Sequence, residues 1–298
     1  MSPNARGAIA MSLAMLCFVL NDLAMKGVVA RIPPGEALVV RGFFAIAFAS
    51  ALSWRLGAFR HASLLLHPAV LGRCALEGAA AACFMTALPR IPFATLSATL
   101  QLTPLIATAL AALLLREKVG WRRWSAMLSG LLGMVIILQP WSAAISAMAL
   151  LGVAAAFLAS SRDIATRAAP AETPTILFAF GSVVAIMLTG GAMSLGETWE
   201  APTTVEVLRL AMASTLVVGA NFFVSKSMRI GDVSFVAPFR YTSVFWAMAG
   251  AWLFYAEEPG PEVYVGAAII VAAGLYTFRR ERVRKAPIAS TAPPTSGR

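Results

Sequence analysis

Charged residues are scarce in this chain. They make up 13% of its 298 residues, hydrophobic residues make up 59%, and the mean hydropathy is +0.77. A soluble globular protein has about 25% charged residues and about 50% apolar ones. Because this number of charges cannot cover the surface of a soluble domain of this length, most of the surface must face lipid. The composition excludes a soluble enzyme, a nucleic-acid-binding domain and a secreted disulfide scaffold.

Cysteine and histidine are also rare. Cys17, Cys74 and Cys83 lie in apolar runs without CxxC spacing, and His61 and His67 share one polar segment. Free cysteines of this kind pack as small hydrophobic residues. HExxH, G-x-S-x-G and Walker A motifs are missing from the sequence as well. We therefore predict no metal site and no cofactor, and neither an enzyme nor an ATP-driven pump.

Long apolar runs are what the sequence has instead. A helix needs about 20 apolar residues to cross a bilayer. Ten such stretches occur between breaks rich in proline, glycine and charge, and the ten-residue alternation of barrel strands is missing. We predict an all-α integral membrane protein with ten transmembrane helices, over residues 7–30, 36–54, 70–88, 92–115, 121–139, 147–167, 174–194, 206–228, 232–255 and 261–279.

The distribution of cations sets the expected orientation. With the N-terminus in the cytoplasm, 18 of the 24 Lys and Arg residues fall on the inner side, three on the outer side and three within spans. This asymmetry follows the positive-inside rule and predicts an inner-membrane protein with both termini cytoplasmic. The net charge of +10 then faces anionic lipid rather than nucleic acid. The basic tail, residues 281–298, has too few apolar residues to fold and is predicted to be disordered.

The two halves of the sequence resemble each other weakly. A shift of about 140 residues aligns Asn21–Lys26 with Arg162–Arg167, and it aligns glycines of span 5 with glycines of span 10. Each half holds five spans, an odd number, so the second half enters the membrane from the opposite face. We predict inverted five-helix repeats over residues 1–140 and 141–280. This architecture is typical of secondary transporters that work by alternating access.

Several local motifs resemble those of a known family. They are Ala87–Pro92, Leu102–Leu105, Leu113–Lys118 and, in the second half, Glu257–Glu258. With them the chain resembles the drug/metabolite transporter superfamily in its EamA-type branch, and within that branch the bacterial aromatic amino-acid exporters. The resemblance covers about residues 7–279. It implies two five-helix repeats and export of amino acids, aromatic ones preferred.

Other functions stay open at this point. One is the carriage of another small organic metabolite, by uptake or exchange. An intramembrane lipid-modifying enzyme should place an acid/base cluster near one face, and a passive channel should show a uniformly polar lining; the sparse polar positions favour neither. The expected partners are a small-molecule substrate and membrane lipid; the sequence leaves the oligomeric state open and is compatible with a monomer.

A few polar residues fall inside the predicted spans, where a charge costs about 3 kcal/mol. Counted at 1.5 Å per residue, Arg240 and Glu77 both lie about 12 Å from the inner face and could pair. An arginine near aromatic rings can bind a carboxylate. Alternatively Arg240 only neutralises Glu77, and Trp246 only packs in the core. The candidate substrate-binding residues are Arg240, Gln101, Tyr241, Asn221, Glu77 and Trp246.

Two acid-base pairs at i, i+4 spacing mark possible gates. Asp22 with Lys26 falls near the outer end of span 1, and Asp163 with Arg167 near the inner end of span 6. They either close the outer and inner faces in alternation or are ordinary intrahelical pairs. Arg41 lies about 8 Å below the outer surface and is expected to extend toward the headgroups.

Overall fold

Helices are the only regular secondary structure in the part of the chain that is described. A computed structural model describes residues 3–114, 121–138, 147–167, 169–170, 172–230 and 237–285, some of them by their backbone alone. Short 3₁₀ helices cover Ala58–Leu66, after α2, and Ala237–Tyr241, before α10. The α-helices in these ranges are α1 (Pro3–Val29), α2 (Pro34–Arg55), α3 (Pro68–Ala87), α4 (Phe93–Leu100), α5 (Thr103–Leu114), α6 (Trp121–Leu138), α7 (Ala147–Arg167), α8 (Thr175–Ser194), α9 (Thr204–Ile230), α10 (Thr242–Tyr255) and α11 (Pro261–Lys285).

Six of the described helices are long and apolar enough to cross a membrane, namely α1, α2, α3, α7, α8 and α9. Most helix bounds follow the predicted apolar stretches within a few residues. The stretch 92–115 is divided into α4 and α5, and the stretch 232–255 is described only from residue 237, as a 3₁₀ helix followed by α10. The described residues therefore form an all-helical fold with six helices that could each span a membrane, and the number of ten spans stays a prediction.

Proline determines where several helices begin. Pro34, Pro68 and Pro261 are the first residues of α2, α3 and α11. Proline suits this position because the first N–H groups of a helix have no intrahelical partner and the ring presets a helical φ. Three of the proline-rich breaks in the sequence are therefore helix starts in the structure.

The helix α11 is longer than predicted. It continues to Lys285 rather than ending near residue 279, so it takes in the first residues of the basic tail. Arg, Glu and Lys are good helix formers, and cations are stabilising at a helix C-terminus. The tail beyond Lys285 and the acidic residue of the basic loop after α5, Glu117, lie outside the described residues.

The main helix contacts join the first half of the chain to the second. The helix α1 packs on α9 and α10, α2 on α8 and α9, and α3 on α7 and α8. In the same way α4 packs on α10, α5 on α7, and α6 on α11. The largest cluster of buried apolar side chains draws on both halves, from Val19 in α1 to Ile270 in α11. The seam between the halves therefore runs through the middle of the bundle.

Glycine allows α6 and α11 to approach closely. A Cβ atom added to Gly133 would lie 2.8 Å from the carbonyl oxygen of Gly266, and one added to Gly266 would lie 2.5 Å from the carbonyl oxygen of Gly133. Neither position has room for a side chain without a backbone shift. Small residues at such crossings let helix backbones pack directly against each other in a membrane.

Candidate functional site

Two interrupted helices meet at the seam. Between α4 and α5 the chain forms a turn at Gln101 and Leu102, whose N–H groups donate to carbonyls three residues back, and Pro104 follows. On the other side of the seam a 3₁₀ helix, Ala237–Tyr241, precedes α10. The buried Gln101 Nε2 donates to Ser243 Oγ at 2.7 Å and so joins the two interruptions. Interrupted helices in corresponding positions of two halves are a pointer to a transporter's binding site.

A chain of alternating charges lies beside this contact. Arg240 Nη1 is 3.8 Å from Asp163 Oδ2, and Arg162 Nη2 is 2.8 Å from Asp163 Oδ1. Arg162 Nη1 also donates to both carboxylate oxygens of Glu77, at 3.1 and 2.8 Å. The order Glu77, Arg162, Asp163, Arg240 therefore links α3, α7 and the 3₁₀ helix. We name these four residues the seam charge chain.

The expectation that Glu77 and Arg240 pair directly is wrong. Arg162 takes both oxygens of Glu77, and Arg240 is left with Asp163. The planar guanidinium of Arg162 has donors on two edges, so it can bind both carboxylates at once. Arg162 lies near the end of its predicted span and is one of the 18 cations counted on the inner side, so the sequence does not mark it as a site residue.

Arg73 joins three helices under the seam charge chain. Its Nη1 donates to Ser182 Oγ at 2.6 Å and to the carbonyl of Phe178 at 3.2 Å, and its Nε donates to Thr166 Oγ1 at 3.1 Å. Arg73 Nη2 is also 3.9 Å from Glu77 Oε2. Arg73 is buried, with four partners on α3, α7 and α8. It therefore links α3, α7 and α8 at the seam.

Arg41 does not extend toward the surface as expected. It is 5% exposed, and its Nη1 donates to Asn21 Oδ1 at 3.1 Å. Asn21 Nδ2 in turn donates to Asp22 Oδ1 at 2.8 Å, and Ser214 Oγ donates to the backbone carbonyl of Arg41. Because the helices supply these partners inside the bundle, Arg41 need not reach the headgroups. Asp22, Asn21 and Arg41 form a second polar group at the seam.

The outer gate pair is not the predicted one. Lys26 Nζ forms an ion pair with Glu257 rather than with Asp22, and it also donates to the carbonyl of Ile91 at 3.4 Å. The other oxygen of Glu257 accepts from the N–H of Phe93, at the first residue of α4, at 2.8 Å. We call this contact the outer latch, after its predicted side of the membrane. It joins α1, α4 and the segment after α10.

The backbone before Glu257 directs it into the latch. Ala256 has φ of 48°, in the left-handed region, and it ends α10. This conformation is costly for a residue with a side chain and needs support from its surroundings. The support comes from the N–H of Glu257, which donates back to Ala251, and from the contacts of the Glu257 carboxylate.

A second set of contacts lies near the outer latch. Arg31 Nε donates to Glu206 Oε1 at 2.7 Å, and Arg31 Nη1 lies 3.1 Å from Glu200. These hydrogen bonds with Glu206 raise the pKa of the Arg31 guanidinium above its ordinary value. Two more carboxylates accept hydrogen bonds across the same seam: Glu197 from the N–H of Gly35, and Glu36 from the N–H of Glu200. The links that follow α1 and α8 are thus tied together.

The inner gate pair has a different partner set as well. Asp163 contacts Arg162 and Arg240, and the side chain of Arg167 lies outside the described residues. The i, i+4 pairing of Asp163 with Arg167 therefore stays a prediction. Asp163 belongs to the seam charge chain whatever Arg167 contacts.

The remaining predicted residues separate into two groups. Arg240 Nε, Tyr241 Oη and Trp246 Nε1 are buried and have no hydrogen-bond partner among the described residues. Buried donors without a partner are rare and commonly mark a bound water or ligand. Asn221 is not part of this group. It lines a groove between α8 and α9, and its Nδ2 donates to the Val217 carbonyl.

Metal binding finds no support in the part of the chain that is described. No group of three His, Cys, Asp or Glu side chains there could hold an ion.

Sequence reasoning missed Arg162, Ser182 and Glu257 as site residues. For Arg162 a signal was present, since the doublet Arg162-Asp163 aligns with Asn21-Asp22 under the internal repeat.

Comparison with known proteins identifies relatives over nearly the whole chain. Residues 5–139 and again residues 146–279 match the EamA-like transporter family. A riboflavin transporter of Rhizobium johnstonii is 28% identical over 284 residues, covering 94% of this chain and 93% of the relative. A pseudopaline exporter of Pseudomonas aeruginosa is 25% identical, covering 93% of this chain and 97% of the relative.

Two further likenesses are more limited. An S-adenosylmethionine uptake transporter of Rickettsia prowazekii is 25% identical over 179 residues, or 60% of each chain. A solved structure described only as the crystal structure of a protein is 20% identical and covers 95% of this chain and 99% of its own, with a TM-score of 0.67. At that identity the second likeness shows the fold alone.

Proposed function

Because the chain belongs to the EamA-like transporter family, we propose that it carries a small organic metabolite across the bacterial inner membrane by alternating access. The observation that carries the site is the seam charge chain, from Glu77 through Arg162 and Asp163 to Arg240. Ionisable groups in a membrane are costly and are found where a transport pathway needs them. Ten spans with both termini cytoplasmic complete the proposal.

The internal contacts support two inverted repeats, residues 1–140 and 141–280. Arg73 donates to Ser182, while the carbonyl of Arg41 accepts from Ser214. Arg41 and Ser182 are 141 positions apart in the sequence, and so are Arg73 and Ser214. A two-fold relation between the halves exchanges these two contacts. The helix pairings obey the same exchange, since α1–α9 corresponds to α3–α7 and α1–α10 to α5–α7.

The charges at the seam favour a substrate with an anionic or strongly accepting group. The polar groups there contain four arginines against three carboxylates, at Arg41, Arg73, Arg162 and Arg240 and at Asp22, Glu77 and Asp163. When all are ionised, one positive charge is in excess. Arg240 Nε and Tyr241 Oη are buried donors that a carboxylate or carbonyl oxygen of the substrate would satisfy.

The relatives favour a general metabolite carrier over an amino-acid exporter. They are named for riboflavin, pseudopaline and S-adenosylmethionine, and their names include both uptake and export. Export of aromatic amino acids rests on the sequence motifs alone. We therefore propose a polar, ring-bearing or carboxylate-bearing metabolite, and leave phenylalanine as one member of the panel that tests it.

Transport would be gated at the seam. The outer latch of Lys26, Glu257 and the N–H of Phe93 closes the predicted outer face in the described state. Opening to that face requires these contacts to break while contacts at the opposite face form. Contacts at one face form as contacts at the other face break, because the two halves are related by the inverted repeat.

Purified protein in liposomes tests the proposal. Uptake of labelled riboflavin, S-adenosylmethionine and phenylalanine would be measured with and without a pH gradient, and empty liposomes serve as the background. We expect saturable uptake of at least one compound, and loss of that uptake in Arg240→Ala. No saturable uptake across a broader metabolite panel would contradict a carrier. Unchanged uptake in Arg240→Ala would remove Arg240 from the site.

A further inference from the structure

An apolar groove opens on the surface between α1, α9 and α10. Its volume is about 590 Å³, and its walls include Leu20, Met212 and Phe254. At one end stands Arg209, whose Nη1 is placed over Gly27, 3.0 Å from where a Cβ atom of that glycine would lie. Arg209 has no carboxylate partner among the described residues, and it does not belong to the polar groups at the seam.

A second groove lies on another side of α9. Its volume is about 520 Å³, and it is bounded by α8 and by the 3₁₀ helix after α2. Its walls are largely apolar, with Leu56, Ile176 and Phe222, and they include Asn221. Lys226 stands at this groove with its Nζ 5.9 Å from the centre of the Phe222 ring. Here too the cation forms no ion pair within the described part of the chain.

The two cations are spaced as the two faces of a bilayer are. Arg209 and Lys226 are 17 positions apart on one continuous helix, which is about 25 Å along its axis. The hydrocarbon layer is about 30 Å thick, and long cationic side chains extend outward from it to the headgroups. An apolar wall below a cation at headgroup level matches the shape of a phospholipid, with its acyl chain in the groove and its phosphate at the cation.

We propose that both grooves are phospholipid-binding sites, one for each leaflet, with Arg209 and Lys226 binding the lipid phosphates. The apolar walls explain why the occupant is a lipid rather than a free anion, because inorganic phosphate would leave Leu20, Met212, Ile176 and Phe222 uncovered. The proposal does not depend on what the protein carries. It places Asn221, a predicted substrate-binding residue, in the wall of the second groove.

Native mass spectrometry of the detergent-purified protein tests this proposal. Phosphatidylglycerol, phosphatidylcholine and inorganic phosphate would be added separately to the wild type, to Arg209→Gln, to Lys226→Gln and to the double variant. Arg90→Gln and Arg60→Gln serve as matched controls, since both arginines are exposed and line neither groove. Circular dichroism would check that every variant keeps the wild-type helix content.

The expected result is two retained phospholipids on the wild type. Each single variant should lose one of them, the double variant should lose both, and the controls should keep two. Phosphatidylcholine should bind at the same positions more weakly than phosphatidylglycerol, because it carries a compensating positive charge. The proposal is overturned if the wild type retains no lipid, if the controls lose lipid as readily as the groove variants, or if inorganic phosphate alone displaces the lipid.

Discussion

Lys26 of α1 and Glu257 of the segment after α10 form an ion pair that joins the two halves of the chain at their predicted outer end. The same Glu257 carboxylate accepts the N–H of Phe93 at the start of α4, where the helix dipole also favours a negative charge. Three segments from both halves thus depend on one carboxylate.

Glu257→Gln should open this face more often. The amide keeps the size of the side chain but loses the charge that holds Lys26 and the N-terminus of α4, at a cost of about 1 kcal/mol or more. A cysteine introduced at the buried Ala94, in a variant without the native cysteines, should then react about fivefold faster with a membrane-impermeant thiol reagent. The control is Glu258→Gln, which removes a neighbouring exposed acid. Equal labelling rates in the two variants would show that the latch does not control access.

Arg162→Met should lower the thermal stability of the protein. The change removes the donors that bind Glu77 and Asp163 and leaves both carboxylates poorly paired inside the bundle. Removing one partner of a buried ion pair costs about 3–5 kcal/mol, and about 2 kcal/mol is expected here because the Arg162 side chain is 23% exposed.

Adding Glu77→Gln to Arg162→Met should restore part of that loss, since it removes one of the unpaired charges. Thermal unfolding of the purified variants in one detergent would measure both effects. A double variant less stable than Arg162→Met would mean that Glu77 is held chiefly by Arg73 rather than by Arg162.

The helix bounds could be predicted because their signals are local. A run of about 20 apolar residues and a proline at the first helical position act within the segment that they define. The start of α3 at Pro68 and the end of α7 at Arg167 therefore agree with the sequence analysis. The family was predictable for a similar reason, since its motifs lie in short continuous segments.

Side-chain partners could not be predicted in the same way. Depth along a span placed Glu77 and Arg240 at one level, but it carries no information about how each helix is rotated. In the structure, α3 and α7 are each oriented about their own axes so that Glu77 faces Arg162. The pairing of Lys26 with Glu257 joins residues 231 positions apart, so i, i+4 spacing favoured the wrong partner, Asp22.

Gly133→Ala should destabilise the protein, whereas Gly219→Ala should not. A methyl group at Gly133 would meet the Gly266 carbonyl at 2.8 Å, and overpacking of this kind costs about 1–3 kcal/mol. At Gly219, in the middle of α9, no atom lies within 4 Å of the added carbon. There the higher helix propensity of alanine should add up to about 1 kcal/mol. The melting temperature in detergent should fall for Gly133→Ala and rise for Gly219→Ala. A melting temperature that also rises for Gly133→Ala would show that α6 and α11 separate easily.

Tyr241→Phe should separate stability from substrate binding. The Tyr241 hydroxyl is buried without a partner among the described residues, so its removal should leave the melting temperature unchanged or raise it slightly. If the hydroxyl donates to the substrate, its loss removes about 1 kcal/mol of binding free energy, or about fivefold in affinity.

The measurement for Tyr241→Phe is the concentration dependence of liposome uptake, with KM and maximal rate fitted separately. Ser53→Ala is the matched control, because the Ser53 hydroxyl is also buried without a hydrogen-bond partner in the described part of the chain, but it lies near the C-terminal end of α2. A higher KM in Tyr241→Phe alone would place the hydroxyl against the substrate. An equal KM in both variants would assign Tyr241 to packing, and the orphaned donor would then need a bound water as its partner.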